Sequence, residues 1–388
     1  MAASNPQFSK ALADARRRVW VLVDGRSGDD AQILRIAAAL GWPSREVSAK
    51  RSVWETVKGR AADAFGTWPP TPSMLPADAP PWPDLLLASG GRNVSFARRI
   101  KVASGGKTRI VFLGAPIARL DDFDLIVTTA QWRLPARPNV VHNLLPLNWP
   151  TAEALAEAGA RWRPKLENLP RPWLGVSVGG TSSSYALTVA DAHRLAQMIV
   201  AQCQSTGGAA LVTTSRRTPT AAADALAAGL TTPHTLYRWR PGDDENPYLG
   251  FLALADRFLV TNETASMISD ALHAGKPVDL FSLTQRPVSR FLTHPRIVGR
   301  DGPDATQYAG AGRGDRFRRW LIDRGFWTPA RNMPRLQRML GAAGLLGDRD
   351  GRKGGPLAAA PVEDLARTIA AIHALFPRAD ESDALDSN

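Results

Sequence analysis

Residues 173–184 read WLGVSVGGTSSS. Six residues dominated by apolar side chains run straight into a glycine pair and then four hydroxyls. A continuous apolar run, rather than an alternating one, is what a strand buried on both faces of a parallel sheet requires. Working outward, further strands are predicted at 209–213, 235–239, 257–261 and 277–281. Helices fill the gaps. Thr188 and Asp191 form a capping-box pattern ahead of a helix reaching Ile199. Pro219 opens the next helix and Gly229 ends it. A third helix, over 266–274, is closed by Gly275 and Pro277.

The same alternation runs through the N-terminal half. Strands are predicted at 18–23, 84–89, 108–113 and 124–128. After the first of them, Ile33, Ile36, Ala37 and Leu40 recur at helical spacing until Gly41. Residues 66–83 are thick with proline and read as loop. Residues 149–173 are charged and helical, then proline-spaced (Pro164, Pro170, Pro172), as a connection would be. The prediction is α/β: one Rossmann-like domain over 16–150, a connection over 151–172, and a second Rossmann-like domain over 173–345, meeting at a central cleft. Residues 301–355 read as Gly- and Arg-rich loop interrupted by 317–326 and 333–340. An amphipathic helix over 361–376 is expected to pack back on the N-terminal domain.

Composition narrows the function classes. The 388 residues suit two domains, and 44% apolar content excludes a disordered chain. A single cysteine, Cys203, excludes a disulfide framework and a multi-thiolate zinc site. The six histidines show no metal-ligand spacing, so no metal and no cofactor are expected. No G-x-S-x-G elbow is present, and none of the four tyrosines has a lysine four residues on, which sets aside a serine hydrolase and a Tyr/Lys epimerase. No long apolar stretch and no signal-peptide core occur, so the expected location is cytoplasmic. The net charge is +12, with 40 arginines against 8 lysines. Such a balance suits a nucleotide ligand or an anionic membrane surface, and equally a solvated surface from an arginine-biased bacterial proteome. No RNA-binding or zinc-finger signature appears, so no nucleic-acid partner is expected.

Three turns could carry chemistry, all after strands of the C-terminal half. Gly179-Gly180-Thr181 lets backbone approach a ligand, and its N–H groups could cradle a phosphate; an ordinary strand–helix turn reads the same way. Thr213 to Thr218 offers hydroxyls, Ser215 among them, and two guanidiniums, of which Arg216 is taken as the diphosphate clamp; a solvated turn is the alternative. Thr264, Ser266 and Met267 open a helix whose N-terminus favours phosphate, and Asp270 one turn on could hold a ribose diol or sit on a surface face. Carboxyl ends of parallel strands are where such sheets bind ligands. In the N-terminal half, Asp24, Asp29 and Asp30 follow the first strand; each could be a general base or simply complement a helix start. Ser89-Gly90-Gly91-Arg92-Asn93 is a second glycine turn, suited to shaping an acceptor pocket.

Residues 22–32 (LVDGRSGDDAQ), 214–219 (TSRRTP) and 260–277 (VTNETASMISDALHAGKP) resemble the mitochondrial-fission "elongated mitochondria" family, which has plant and bacterial members. That family is in turn similar to GT-B glycosyltransferases, which have two Rossmann-like domains facing a cleft. The resemblance implies a metal-independent transfer of sugar from a nucleotide-sugar donor to an acceptor, at a membrane surface in one version. Gly179, Gly180, Thr181, Ser215, Arg216, Thr264, Ser266 and Met267 would hold the donor, and Asp270 its ribose. Asp270 is one methylene shorter than the glutamate those families use, and Asn262-Glu263-Thr264 stands where Gly-Asp-Ser is usual. The family also implies a second reading, a non-catalytic scaffold that recruits protein partners at a membrane, as the plant members recruit a fission dynamin.

Overall fold

The computed structural model of the chain describes residues 17–23, 27–48, 80–91, 93–292, 300–301, 308–309, 313–327, 331–347 and 360–376. Asp24, Gly25, Arg26, Arg92, most of the proline-rich loop and the last dozen residues lie outside the described residues. The chain divides into two units. One comprises 1–143, 299–329 and 362–388, and the other 144–298 and 330–361.

The first unit begins with β1 (Val19–Val23), α1 (Ser27–Leu40), β2 (Ser44–Ser48) and β3 (Leu85–Ser89). It continues through α2 (Val94–Ala103), β4 (Arg109–Leu113), β5 (Leu125–Thr129) and β6 (Val140–Asn143). The sheet order is β2-β1-β3-β4-β5-β6, and every neighbouring pair is parallel. Strand order therefore reverses between β1 and β3. β3 and β5, which read LLLAS and LIVTT, are buried along their whole length, as central strands of a parallel sheet are. On one face Trp20, Leu22, Leu86, Ile110, Phe112 and Ile126 pack with Phe96, Ala97 and Ile100 of α2. β2 and β6 have no such signature. β2 reads SREVS and buries one residue of five; β6 has only four residues. Both are edge strands, and an edge strand needs less apolar surface than a central one. The helix Ala360–Ala374 packs in this unit: Asn143 Nδ2 donates to Thr368 Oγ1 at 3.1 Å, and His373 and Phe376 meet Trp42 edge-on.

The second unit opens with α3 (Ala152–Leu166), β7 (Trp173–Ser177), β8 (Tyr185–Ala186), α4 (Val189–Thr206) and β9 (Ala209–Thr213). Then come α5 (Thr220–Gly229), β10 (His234–Tyr237), α6 (Tyr248–Leu254), β11 (Arg257–Thr261), α7 (Ala265–His273) and β12 (Val278–Phe281). Its order is β10-β9-β7-β11-β12, again all parallel, with the reversal between β7 and β11. Each unit is thus a doubly wound sheet of the Rossmann kind. The stretch read as a connection, 151–172, is largely α3, and it packs inside the second unit. Leu166 joins a cluster with Trp173, Ala209, Leu211, Phe251 and Leu254, and Trp162 meets Phe251 edge-on at 6.0 Å. Its charged residues and Pro164 obscure a buried stripe that only the partner helix α6 reveals. α6 itself is seven residues long, too short for a periodic signal. Among the described residues no helix is long and apolar enough to cross a membrane.

The capping box of α4 forms as its spacing predicts. Thr188 Oγ1 accepts from Asp191 N at 3.0 Å, and Asp191 Oδ2 accepts from Thr188 N at 3.0 Å and Oγ1 at 2.8 Å. Thr284 Oγ1 donates to Asp191 at 3.0 Å, and Arg194 also donates to it. Burial alone would raise the Asp191 carboxyl, but the Thr188 backbone and hydroxyl, Arg194 and Thr284 together hold it below its ordinary value. A depressed folded-state value gives stability that is present above the unfolded value of about 3.9 and lost as pH falls through the folded one. Thr188→Ala is expected to cost about 1 kcal/mol in a urea melt at neutral pH. Asp191→Asn is expected to flatten the acid limb of the stability curve, measured as midpoint against pH.

Candidate functional site

The carboxyl ends of β7, β9 and β11 lie side by side, because β7 sits between β9 and β11 in the sheet. The turns leaving them are joined by hydrogen bonds. Gly179 N donates to Thr261 Oγ1 at 2.8 Å, and Gly180 N to Glu263 Oε1 at 2.6 Å. Ser215 Oγ donates to Gly179 O at 2.7 Å, and Thr181 N to Arg217 O at 3.1 Å. Arg217 reaches Thr264 Oγ1 at 2.7 Å and Glu263 Oε1 at 3.4 Å. So the three turns named from the sequence form one cluster at the point where strand order reverses.

The cluster differs from the expected phosphate cradle in one respect. The N–H groups of Gly179, Gly180 and Thr181 are already donated, to a hydroxyl, a carboxylate and a carbonyl of the protein itself. The glycines are required by packing instead. A Cβ on Gly179 would run into the Glu263 carboxylate, and one on Gly180 into the Arg217 carbonyl. The Ser215 hydroxyl is likewise turned inward to Gly179. The two arginines divide their roles: Arg217 faces the cluster, while Arg216 is exposed. Adjacent side chains in a turn point different ways, so the pair in the sequence gives the charge without saying which one faces in.

Glu263 is the residue that sequence reasoning missed. It is 1% exposed, and Oε1 accepts from Gly180 N, Thr264 Oγ1 at 2.6 Å and Arg217. Oε2 is buried with no hydrogen-bond partner among the described residues. The buried Tyr185 hydroxyl is pushed up to about 12, by burial first and then by the Glu263 charge.

α7 begins directly after this carboxylate. Thr264 is its N-cap and makes no side-chain cap; its hydroxyl instead donates to Glu263. Ser266 and Met267, in the first turn, are half-buried. Asp270, one turn on, is not on a solvent face. It is buried, with Oδ1 accepting from Asn148 Nδ2 at 2.6 Å and Oδ2 from the Tyr248 hydroxyl at 2.7 Å. Burial, then the Asp270 charge and hydrogen bond, push the Tyr248 hydroxyl well above its ordinary value. Asn148 also donates to Ser266 O at 3.3 Å, and Ser269 Oγ to Pro146 O at 2.9 Å, so the segment before α3 is tied to this helix. Trp149 stacks on His273 at 4.0 Å. Asn148 and Tyr248 lie far from Asp270 in sequence, and no local pattern pairs them.

In the first unit, Asp29 and Asp30 sit half-buried in the first turn of α1. The turn after β3 is pinned by Asn93, whose Nδ2 donates to Leu22 O at 3.2 Å and Ser89 O at 3.0 Å, tying the carboxyl ends of β1 and β3 together. Among the described residues no three His, Cys, Asp or Glu side chains gather as metal ligands would. Cys203 is buried, and burial raises its thiol.

A family model described as mitochondrial fission ELM1 matches residues 27–296. The mitochondrial fission protein ELM1 of Arabidopsis thaliana is 26% identical over 218 residues, 50% of this chain. The match spans about half of that relative's length, 51%. Solved structures with similar folds include the UDP-GlcNAc 2-epimerase of Methanocaldococcus jannaschii, at 10% identity and a TM-score of 0.41, covering 84% of this chain and 98% of that one. Another is UGT89C1 of Arabidopsis thaliana, at 12% identity and a TM-score of 0.41, covering 91% and 98%.

Removing the Glu263 carboxylate leaves the Gly180 N–H, the Thr264 hydroxyl and Arg217 short of an acceptor. Glu263→Ala is therefore expected to cost about 1–3 kcal/mol in urea denaturation. Glu263→Gln, which keeps an acceptor oxygen, should cost less, and Arg216→Ala should stay within about 0.5 kcal/mol of wild type. A Glu263→Ala melt that overlays the wild type would show that the carboxylate does not hold the turns.

Proposed function

We propose, for a chain that belongs to the mitochondrial fission ELM1 family, that its second unit binds the diphosphate and ribose of a nucleotide-activated sugar and that the protein transfers this sugar to an acceptor hydroxyl in the GT-B manner. The observation that carries the reading is the convergence of three polar turns at the strand-order reversal between β7 and β11. Doubly wound sheets bind ligands at the carboxyl edge of such a reversal.

In this reading the diphosphate lies at the start of α7 rather than in the glycine turn. The N–H groups of Ser266 and Met267 lie in a first helical turn, where an anion is favoured. Arg216 is exposed and supplies a guanidinium to the leaving diphosphate. Gly179, Gly180, Thr181 and Ser215 act through the hydrogen bonds that fix the turns, and Thr264 through its place at the head of α7. Asp270 receives the ribose hydroxyls. Asn148 and Tyr248 hold its two oxygens in place one helical turn beyond the start of α7. For the base that deprotonates the acceptor, the reading keeps the carboxylates after β1: Asp24, Asp29 and Asp30.

One observation favours a second reading, a non-catalytic scaffold acting through protein partners. The Glu263 carboxylate already sits on the Gly180 N–H, where a nucleotide enzyme of this kind would accept an anion. An internal anion there makes the turn self-sufficient without a ligand.

Thermal shift with a panel of nucleoside diphosphates and nucleotide sugars separates the two. A ligand at 100 times its Kd stabilises the folded state by about 2.7 kcal/mol, whereas a scaffold shows no response. Arg216→Ala should then weaken diphosphate binding about tenfold or more, with the melting temperature of the free protein unchanged. Asp270→Asn should cost more affinity for ribonucleotides than for 2′-deoxyribonucleotides in calorimetric titration. Equal losses would remove Asp270 from the ribose.

A further inference from the structure

The segment 313–327 reads RGDRFRRWLIDRGFW, and most of it is the helix Arg313–Asp323. One side of it is anchored in the first unit. Ile322 is part of the core cluster, and Trp327 packs against that cluster. Asp323 accepts from Arg137 at 2.9 Å. Gly325, at φ +75°, sits so close to the Ala118 backbone that a side chain there has no room.

The opposite side carries exposed aromatic rings. Phe317, Trp320 and Phe326 are 59%, 47% and 52% exposed. Their rings form a ridge: Phe317 stacks on Trp320 at 6.0 Å and 14°, and Trp320 lies 5.8 Å from Phe326. Around this ridge the sequence places five arginines, at 313, 316, 318, 319 and 324. Arg313, Arg316, Phe317, Trp320 and Arg324 follow one another at i, i+3, i+4, i+7 and i+11, which is one helical face. Arg313, Arg319 and Arg324 are exposed, and Arg324 lies 5.9 Å from the Trp320 ring.

We propose that this face docks on an anionic lipid bilayer, the aromatic ridge entering the headgroup region and the arginines pairing with lipid phosphates. Charge and shape select this occupant. Large aromatics flanked by basic residues on a helix held flat are what an interfacial helix needs, and tryptophan favours the interface. Arginines near an anionic leaflet add attraction that salt screens. A second copy of the chain fits less well, because a two-fold contact would set the arginine row against itself. Single-stranded nucleic acid fits less well too, because rings stacked on each other form a ridge and not separate platforms for bases. The inference is independent of nucleotide binding at the second unit.

Co-sedimentation of the full chain with phosphatidylcholine vesicles, with and without phosphatidylglycerol, tests it. Binding is expected to the anionic vesicles, weakening as salt is raised. Phe317→Ser/Trp320→Ser/Phe326→Ser and, separately, Arg313→Glu/Arg319→Glu/Arg324→Glu should each lower vesicle affinity about tenfold or more, with wild-type melting curves. The aromatic set should also lose fluorescence quenching by brominated lipid. The proposal is overturned if the wild type ignores both vesicle types or if either variant set binds as the wild type does. It is equally overturned if the aromatic set instead abolishes self-association in sedimentation velocity, or abolishes binding to a single-stranded oligonucleotide that outcompetes vesicles.

Discussion

Glu263 is an ionisable side chain with no surface of its own, and the carboxyl edge of the second sheet is arranged around it. A carboxylate taken out of water must be met by donors. Here a backbone N–H, a hydroxyl and a guanidinium come from three separate turns. Each turn leaves a different strand, so satisfying one carboxylate fixes the relative position of β7, β9 and β11 at their carboxyl ends. The glycine pair follows from this constraint, since side chains there would collide with Glu263 and with the Arg217 carbonyl. What reads as a ligand cradle in sequence is, in the folded unit, first a piece of internal bracing.

That bracing bears on chemistry. Ligand-binding loops on doubly wound sheets must be rigid enough to hold an anion and open enough to admit it. With the glycine turn occupied, the start of α7 and the exposed Arg216 offer a helix N-terminus and a guanidinium outside the bracing. Asp270 is treated similarly. Asn148 and Tyr248 hold it in place from two other segments, so its orientation is set within the unit itself. Pre-set polar groups lower the cost of binding when they match the ligand and resist it when they do not.

The aromatic face of 313–327 belongs to a different problem. Exposed Phe and Trp are tolerated when something covers them or when they serve contact. The helix is seated by Ile322, the Arg137–Asp323 pair and the close approach of Gly325 to Ala118, so its outer face is presented by a fixed element and not by a loose tail.

Sequence by itself determined the two α/β halves, because strands buried on both faces of a parallel sheet are dominated by apolar residues, and the runs at 84–89, 124–128, 173–178, 209–213 and 257–261 are short, apolar and bounded by turn residues. It determined the capping box of α4, because Thr188 and Asp191 are three residues apart and the interaction is local. It also located the three turns, since each directly follows a strand. Tertiary structure alone decided the edge strands β2 and β6, whose residues carry little apolar signal, and the place of α3, whose buried stripe is defined by α6. It alone decided that Arg217 and not Arg216 faces the cluster, that Glu263 occupies the glycine turn, and that Asp270 is held by Asn148 and Tyr248. The reason is common to all of these. A hydrogen bond between residues that are 122 positions apart, like Asn148 to Asp270, leaves no periodicity in the chain and exists only once the strands have set the turns side by side.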